Sequence, residues 1–459
     1  MVTEINTEGP ETATAKPIPF IKEPPLVGSL FAYQKDRLQI LMRIWQELGE
    51  VGGFHMGPYA LPTFSAPHHV HSILVEHAYD FDKGESTHNV FRPVIGNGIF
   101  ISEGDFHRRQ RKLMAPSFQP RHIASYADTM AFYGEEIQSG WRDGEVILID
   151  NEMIATTMSI IGKVLFDADV FSETSDLGSA METTLSFIGD RLARIIPVPY
   201  SWPTPKNNRT RQAIALLRNR IQQMISERQS STAERNDFLS ILLNARDDDG
   251  EPMNDEQIID ECLTLFGAGH ETTATALTWA WFLLAQHPET YRTLQQEVDT
   301  ILQGRLPTYA DLPNLPYCLQ VFKETLRMYP PAYAIARAAL KDLDINGYQL
   351  HKGDVAIIAP YIMHYRSDFF PQPEAFQPER FTPEREKQLP RYAYLPFGAG
   401  PRICIGNHFS MMEGQLLLAT IAQRVTFELV PNQKITPDPG KSLTLRPDHP
   451  IKMIVRRRS

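Results

Sequence analysis

The sequence predicts a mainly α-helical body with small β-sheets, and three observations carry that prediction. Apolar residues keep helical spacing from about residue 105 to 330. On either side, near 52 to 76 and after 331, short apolar runs alternate with Gly and Pro and read as strands and loops. No repeat or low-complexity tract divides the 459 residues, so 1–459 is expected to form a single domain.

Along the chain, residues 1–16 are polar, carry Glu4, Glu8 and Glu11, and are expected to be disordered. They lack the charged-then-apolar layout of a signal peptide. Residues 17–29, with Pro17, Pro19, Pro24, Pro25 and Gly28, predict a stiff extended lead-in segment. Ser230–Asn236 and Arg246–Gly250, the latter with Asp247, Asp248 and Asp249, read as solvated loops. Between Asn254 and His287 helical spacing persists for more than thirty residues, well above the usual ~11–12. Asn254 with Gln257 gives the start signal and Pro288 the stop. Gly267 and Gly269 sit at its middle, each unfavourable by about 1 kcal/mol relative to Ala. They mark either close packing against a neighbour or a local opening beside a ligand, and Glu271-Thr272-Thr273 follows at once. After Cys404 one more helix is expected.

Composition narrows the class. Lys and Arg total 45 against 55 Asp and Glu, a net charge of −10, which argues against a general nucleic-acid binder. The longest uncharged, largely apolar run, Ala274–Ala285, falls short of the ~20 residues that span a bilayer. Three separated cysteines cannot build a disulfide framework or a four-cysteine metal cluster, so a cytoplasmic protein is expected. Cys262 and Cys318 lie on apolar helix faces and read as core. His68, His69 and His71 follow Pro67 in an expected loop and read as a surface cluster, with no carboxylate or cysteine at ligand spacing. Arg456-Arg457-Arg458 reads as solvated.

Cys404 stands apart. It lies in Phe397-Gly398-Ala399-Gly400-Pro401-Arg402-Ile403-Cys404-Ile405-Gly406, whose glycines and proline put the thiol on a tight turn entering a helix. Backbone amides aimed at the sulfur would lower its pKa. This segment resembles the haem-binding signature of the cytochrome P450 family, F-x-x-G-x-R-x-C-x-G, with Phe397, Gly400, Arg402, Cys404 and Gly406 at its fixed positions. Other segments resemble that family in its own order. Ala268-Gly269-His270-Glu271-Thr272-Thr273 is similar to the oxygen-activation motif A/G-G-x-D/E-T-T, Glu324-Thr325-Leu326-Arg327 to E-x-x-R, and Pro378-Glu379-Arg380-Phe381 to PERF. Gly104–Arg111 resembles the W-x-x-x-R helix with His107 at the tryptophan position, continued by Leu113, Pro116 and Phe118.

The resemblance implies the family's fold, with a long central helix over haem b, and Cys404 as the axial thiolate ligand of the haem iron. It places Ala268 and Thr272, four apart on one helix face, over the distal side. Thr272 would hydrogen-bond the dioxygen species, and Glu271 would help deliver protons. It assigns His107, Arg111, Arg337, Phe397 and Arg402 to the haem, and Glu324, Arg327 and Arg380 to a buried network supporting the cysteine loop. It lines a distal pocket with the loop around 88 to 101, where Phe91, Val94, Ile95, Ile99 and Phe100 are apolar, with Leu265 and Ala268, with Ala332–Ala336, and with Leu443. Ile195–Trp202 would join a lid.

The activity implied is monooxygenation of a hydrophobic small molecule by a monomer, with no bound flavin. The fifty or so residues after Cys404 leave no room for a fused reductase domain, so electrons are expected from ferredoxin or flavodoxin with its reductase. The basic run Arg108, Arg109, Arg111 and Lys112 offers a face for such an acidic partner. The alternative within the fold is a peroxide-driven hydroxylase or an isomerase or dehydratase, against which the Glu271-Thr272 pair weighs. Outside enzymes, the alternative is a non-catalytic haem sensor or a haem-free binding protein.

Overall fold

In the computed structural model, which describes residues 15–167, 175–194, 198–231, 235, 237–440 and 443–458, the long helix spans Asp255–Gln286. Its start is a capping box: the Asn254 side chain accepts from the Gln257 amide at 2.8 Å, and Gln257 accepts from the Asn254 amide at 3.1 Å. It stops ahead of Pro288, which opens the next helix. The helix is continuous through Gly267 and Gly269. A Cβ on Gly269 would lie 2.9 Å from the Ile161 side chain, so this glycine serves close packing on the helix Ile149–Phe166.

Around that axis the helices Ala127–Ser139, Ile149–Phe166, Pro316–Met328 and Asn407–Ala422 enclose one large apolar core. Trp279 and Trp281 are wholly buried in it, and Trp279 stacks on Tyr329 at 3.9 Å. A second apolar cluster, including Val51, Phe64, Ile358 and Leu395, lies under a five-stranded sheet. The strand order is Val51–Met56, Tyr59–Phe64, Val355–Ile358, Ile335–Ala339 and Phe81–Asp82, antiparallel except between the second and third. Val146–Leu148, Lys452–Arg457 and Val425–Leu429 make a separate three-stranded sheet. No helix among the described residues is long and apolar enough to cross a membrane.

Several boundaries differ from the sequence expectation. Residues 1–14 lie outside the described residues, but Lys16 is held by a bridge to Tyr348. The sheet expected over 52–76 ends at Phe64; Pro67–His71 is helical and continues as a turn of π-helix over Ser72–Glu76. Pro67 starts that helix, and Val70, Ile73 and Leu74 bury one face at helical spacing. The expected loop around 88–101 is a helix from Glu85 to Ile95, because Val90, Phe91, Val94 and Ile95 share an inward face. The loop Arg246–Gly250 is not simply solvated. Asp247 pairs with Arg109 and Asp248 with Lys112, each at 2.6 Å. The basic run is thus engaged by the protein's own acidic loop, while Arg108 pairs with Asp105 and Arg111 turns inward.

Candidate active site

The cysteine loop is built by glycines in positive-φ conformations. Gly398 and Gly400 both have φ +70°, and a Cβ on Gly400 would lie 1.8 Å from the Leu74 carbonyl oxygen. After the short turn Gly400–Arg402, the Cys404 amide donates to the Phe397 carbonyl at 2.9 Å and the helix Asn407–Ala422 begins. Phe397 is half-buried against the large core. Cys404 is accessible, whereas Cys262 and Cys318 are buried as expected. Its thiol pKa is raised, against the sequence expectation: desolvation outweighs the Gly406 amide and the Arg111 charge, which both act to lower it. The chain alone therefore favours the protonated thiol, and a thiolate here calls for a cation beside the sulfur.

The second opening is on the central helix. Most of that helix is sealed, yet Ala268 is exposed and Gly267, Gly269 and Thr272 are half-buried. Thr272 Oγ1 donates to the Ala268 carbonyl at 2.8 Å, so these two residues share one face. Glu271 is buried on another side, where its Oε1 accepts from Thr444 Oγ1 at 2.8 Å and pairs with Arg446 at 3.1 Å. Thr273 contacts Ser410 at 3.2 Å, tying the central helix to the helix after the cysteine.

The third feature is a nest of basic side chains. His107 is buried, and its pKa is pushed down to about 3 by desolvation and then by Arg402, Arg111, Lys83 and Arg337. Burial, then Arg402, brings Arg337 down to about 10; burial, then Arg337 and Arg402, holds Lys83 well below the usual lysine range. Arg402 donates to the Ser102 carbonyl at 2.5 Å and pairs with Glu103, and Arg111 donates to the Ile403 carbonyl at 2.7 Å, beside Cys404. Glu103 is the carboxylate that acts on Lys83, Arg337 and Arg402 together. So much like charge around an accessible cysteine is a site for a polyanionic ligand.

Comparison with known proteins decides the family. Residues 18–455 match the family model Cytochrome P450. The chain belongs to the cytochrome P450 family. It is 36% identical to a cyclooctatin synthase of Streptomyces melanosporofaciens over 92% of each chain. It is 33% identical to a cyclooctat-9-en-7-ol 5-monooxygenase of the same organism, over 89% of this chain and 88% of that one. Among solved structures it resembles the retinoic acid-bound cyanobacterial CYP120A1, with a TM-score of 0.85 at 25% identity, covering 97% of this chain and all of that one. The cytochrome P450 cofactor is haem, and the residues present fit it: an accessible sulfur, and cations enough for two propionates.

The remaining expected residues fall in two places. Glu324, Arg327 and Arg380 meet in a buried network: Arg327 grips Glu324 through two bonds of 2.7 and 2.8 Å, and Arg380 reaches it at 3.2 Å. Arg327 also donates to the His364 carbonyl at 2.9 Å, and His364 Nε2 accepts from the Leu395 amide at 2.9 Å, two residues before Phe397. Phe91, Val94 and Ile95 pack with Phe187, Ile188 and Ile214, and Leu443 leans on the same cluster, whereas Ile99 and Leu265 join the large core. Within the expected lid segment, 195–197 lie outside the described residues.

Sequence reasoning missed Lys83, Glu103, His364, Thr444 and Arg446. Glu103 carried a signal, since it stands one residue before the Gly104–Arg111 motif; the others join the site only through distant pairings.

Proposed function

We propose that this cytochrome P450 is a haem b monooxygenase that hydroxylates or epoxidises an apolar, terpene-like small molecule. The observation that carries this reading is the nest of Lys83, His107, Arg111, Arg337 and Arg402 gathered at the accessible Cys404. Haem bound there would supply the iron that activates dioxygen, with the Cys404 thiolate favouring O–O cleavage. Arg402, Arg337 and His107 would hold the propionates, and Arg111, bonded to the Ile403 carbonyl, braces the loop that aims Cys404. Lys83, whose ammonium lies 4.5 Å over the Phe100 ring, would neutralise the same edge.

On the central helix, Thr272 Oγ1 is the hydroxyl placed to carry a proton into the opening, with Glu271 as the carboxylate behind it. Arg446 and Thr444 hold that carboxylate at Oε1. Phe91, Val94, Ile95 and Leu443 belong to one apolar cluster, which would suit an alkene or alkenol. That substrate class is also supported by the relatives' names. Electrons would come from a separate ferredoxin or flavodoxin with its reductase. The protein would act in the cytoplasm as a monomeric single domain.

The carbon monoxide difference spectrum of the dithionite-reduced, haem-loaded protein tests this. A strongly red-shifted Soret band is expected. A band at the ordinary histidine-haem position, or failure to take up haem, would overturn the reading.

A further inference from the structure

Glu50, His68 and His69 come together beside the start of the five-stranded sheet. Strands Val51–Met56 and Tyr59–Phe64 pair with Val51 opposite Phe64, and the Ser65 amide donates to the Glu50 carbonyl at 2.9 Å. That register sets the residue before the first strand beside the helix Pro67–His71 that follows the second. One carboxylate oxygen of Glu50 and one ring nitrogen each of His68 and His69 all lie within 4.8 Å of one another. The sequence expectation of a loop cluster without a carboxylate is thereby corrected.

His69 is the telling residue. Its side chain is 2% exposed, and among the described residues neither ring nitrogen has a hydrogen-bond partner. A buried imidazole normally satisfies at least one nitrogen. The rings of Phe64, Tyr348 and His68 surround it, with His68 at 4.0 Å between centroids. Glu50 is half-buried and reaches Arg366 at 3.0 Å, but Arg366 is also held by Asp368 through bonds of 3.0 and 2.5 Å, by the Ser65 carbonyl at 2.9 Å and by the faces of Trp45 and Phe369. Glu50 can therefore turn away without leaving that guanidinium unpaired.

We propose that Glu50, His68 and His69 bind one divalent transition-metal ion of borderline softness, zinc being the type case. Two neutral imidazoles and a carboxylate are a donor set that zinc accepts, with water in the fourth position. Tetrahedral zinc at ~2.0–2.1 Å from each ligand needs donor atoms roughly 3.4 Å apart. Rotation of the exposed His68 and half-buried Glu50 side chains closes the difference, while His69 stays fixed as the buried anchor. The ion would join the start of the sheet to the helix that runs, through Ser72–Glu76, onto the cysteine loop at Gly400.

The test uses haem-loaded protein stripped of loose metal by a chelator, then dialysed against micromolar zinc with metal counted by mass spectrometry. One zinc per chain is expected, with zinc-edge X-ray absorption showing two imidazole nitrogens and an oxygen shell; the haem iron absorbs at a different edge. His69→Leu, which keeps the apolar surroundings, should abolish uptake, and His68→Ala and Glu50→Gln should weaken it at least about tenfold. Zinc should raise the melting midpoint of the parent and not of His68→Ala. Uptake equal in parent, His68→Ala and His69→Leu, absorption without imidazole scattering, or no uptake would each overturn the proposal. Because His68 is exposed, its variant decides the matter even if His69→Leu fails to fold.

Discussion

The buried network at Glu324 makes a quantitative prediction, because its two arginines are not equivalent. Glu324 is wholly buried and accepts four bonds, two from Arg327, one from Arg380 and one from the Gln377 amide at 3.0 Å. Glu324→Ala removes the shared anion and leaves two guanidiniums facing each other without it, a loss of about 3–5 kcal/mol. Arg380→Ala removes the longest of the four bonds and one to the Gln372 carbonyl at 2.8 Å, but Arg327 still neutralises the carboxylate. That variant should lose about 1.5–3 kcal/mol. For a chain of 459 residues the unfolding entropy is roughly 1 kcal/mol per degree, so scanning calorimetry should show falls of about 3–5 °C and about 2 °C. Arg327 also reaches the cysteine loop through His364, so Glu324→Ala should convert part of the red-shifted carbon monoxide band to the ordinary position. Equal falls for both variants, or a fall under about 1 °C for Glu324→Ala, would refute the assignment of Arg327 as the principal partner.

Three further outcomes are expected. Cys404→Ser should abolish the thiolate band, checked by the same difference spectrum. Thr272→Ala should leave haem uptake unchanged but divert reducing equivalents to peroxide, read as the ratio of peroxide formed to nicotinamide cofactor consumed in a reconstituted system. Glu261, buried and pushed up to about 8 by desolvation, keeps a proton in the folded chain that the unfolded chain releases above its ordinary value of 4.5. Its contribution to stability therefore falls as pH rises from about 4.5 to 8, by up to about 1.4 kcal/mol per pH unit. Glu261→Gln should flatten that slope, measured as urea midpoints at pH 5.5 and 7.5.

What was legible in the sequence is what local spacing encodes. The central helix carries its cap and its stop within its own residues, and the cysteine loop needs glycine where φ is positive. Glu324 and Arg327, three apart, meet on one helical turn whatever surrounds them. The family resemblance reads the 88–101 stretch as a loop, while the inward face of Val90, Phe91, Val94 and Ile95 is enough to fold a helix around Pro93. His364 could not be read at all: its partners are Arg327, 37 residues earlier, and Leu395, 31 residues later. Glu50 and His69 illustrate the same limit, since only the strand register brings them together.

The acid of the central helix shows most clearly how such distant pairings govern chemistry. Spacing alone puts Glu271 beside Thr272 in sequence, but consecutive residues on a helix point to different sides. Thr272 looks into the opening, and Glu271 looks toward the chain's last strands, where Thr444 contacts both Glu271 and Thr275 and the Leu445 carbonyl accepts from Trp279 at 2.7 Å. A buried carboxylate requires such partners, and a segment more than 170 residues away supplies them. The Leu445 amide is in turn fixed to the Pro331 carbonyl at 3.1 Å, so the clamp on Glu271 is anchored to the segment leading into Ile335–Ala339, the strand that carries Arg337. The Glu271 carboxylate and the nest around Arg337 are therefore tied to one stretch of backbone. A displacement of residues 331–337 on substrate binding would reach both, and would couple the proposed substrate pocket to the proposed proton delivery without any contact between substrate and Glu271.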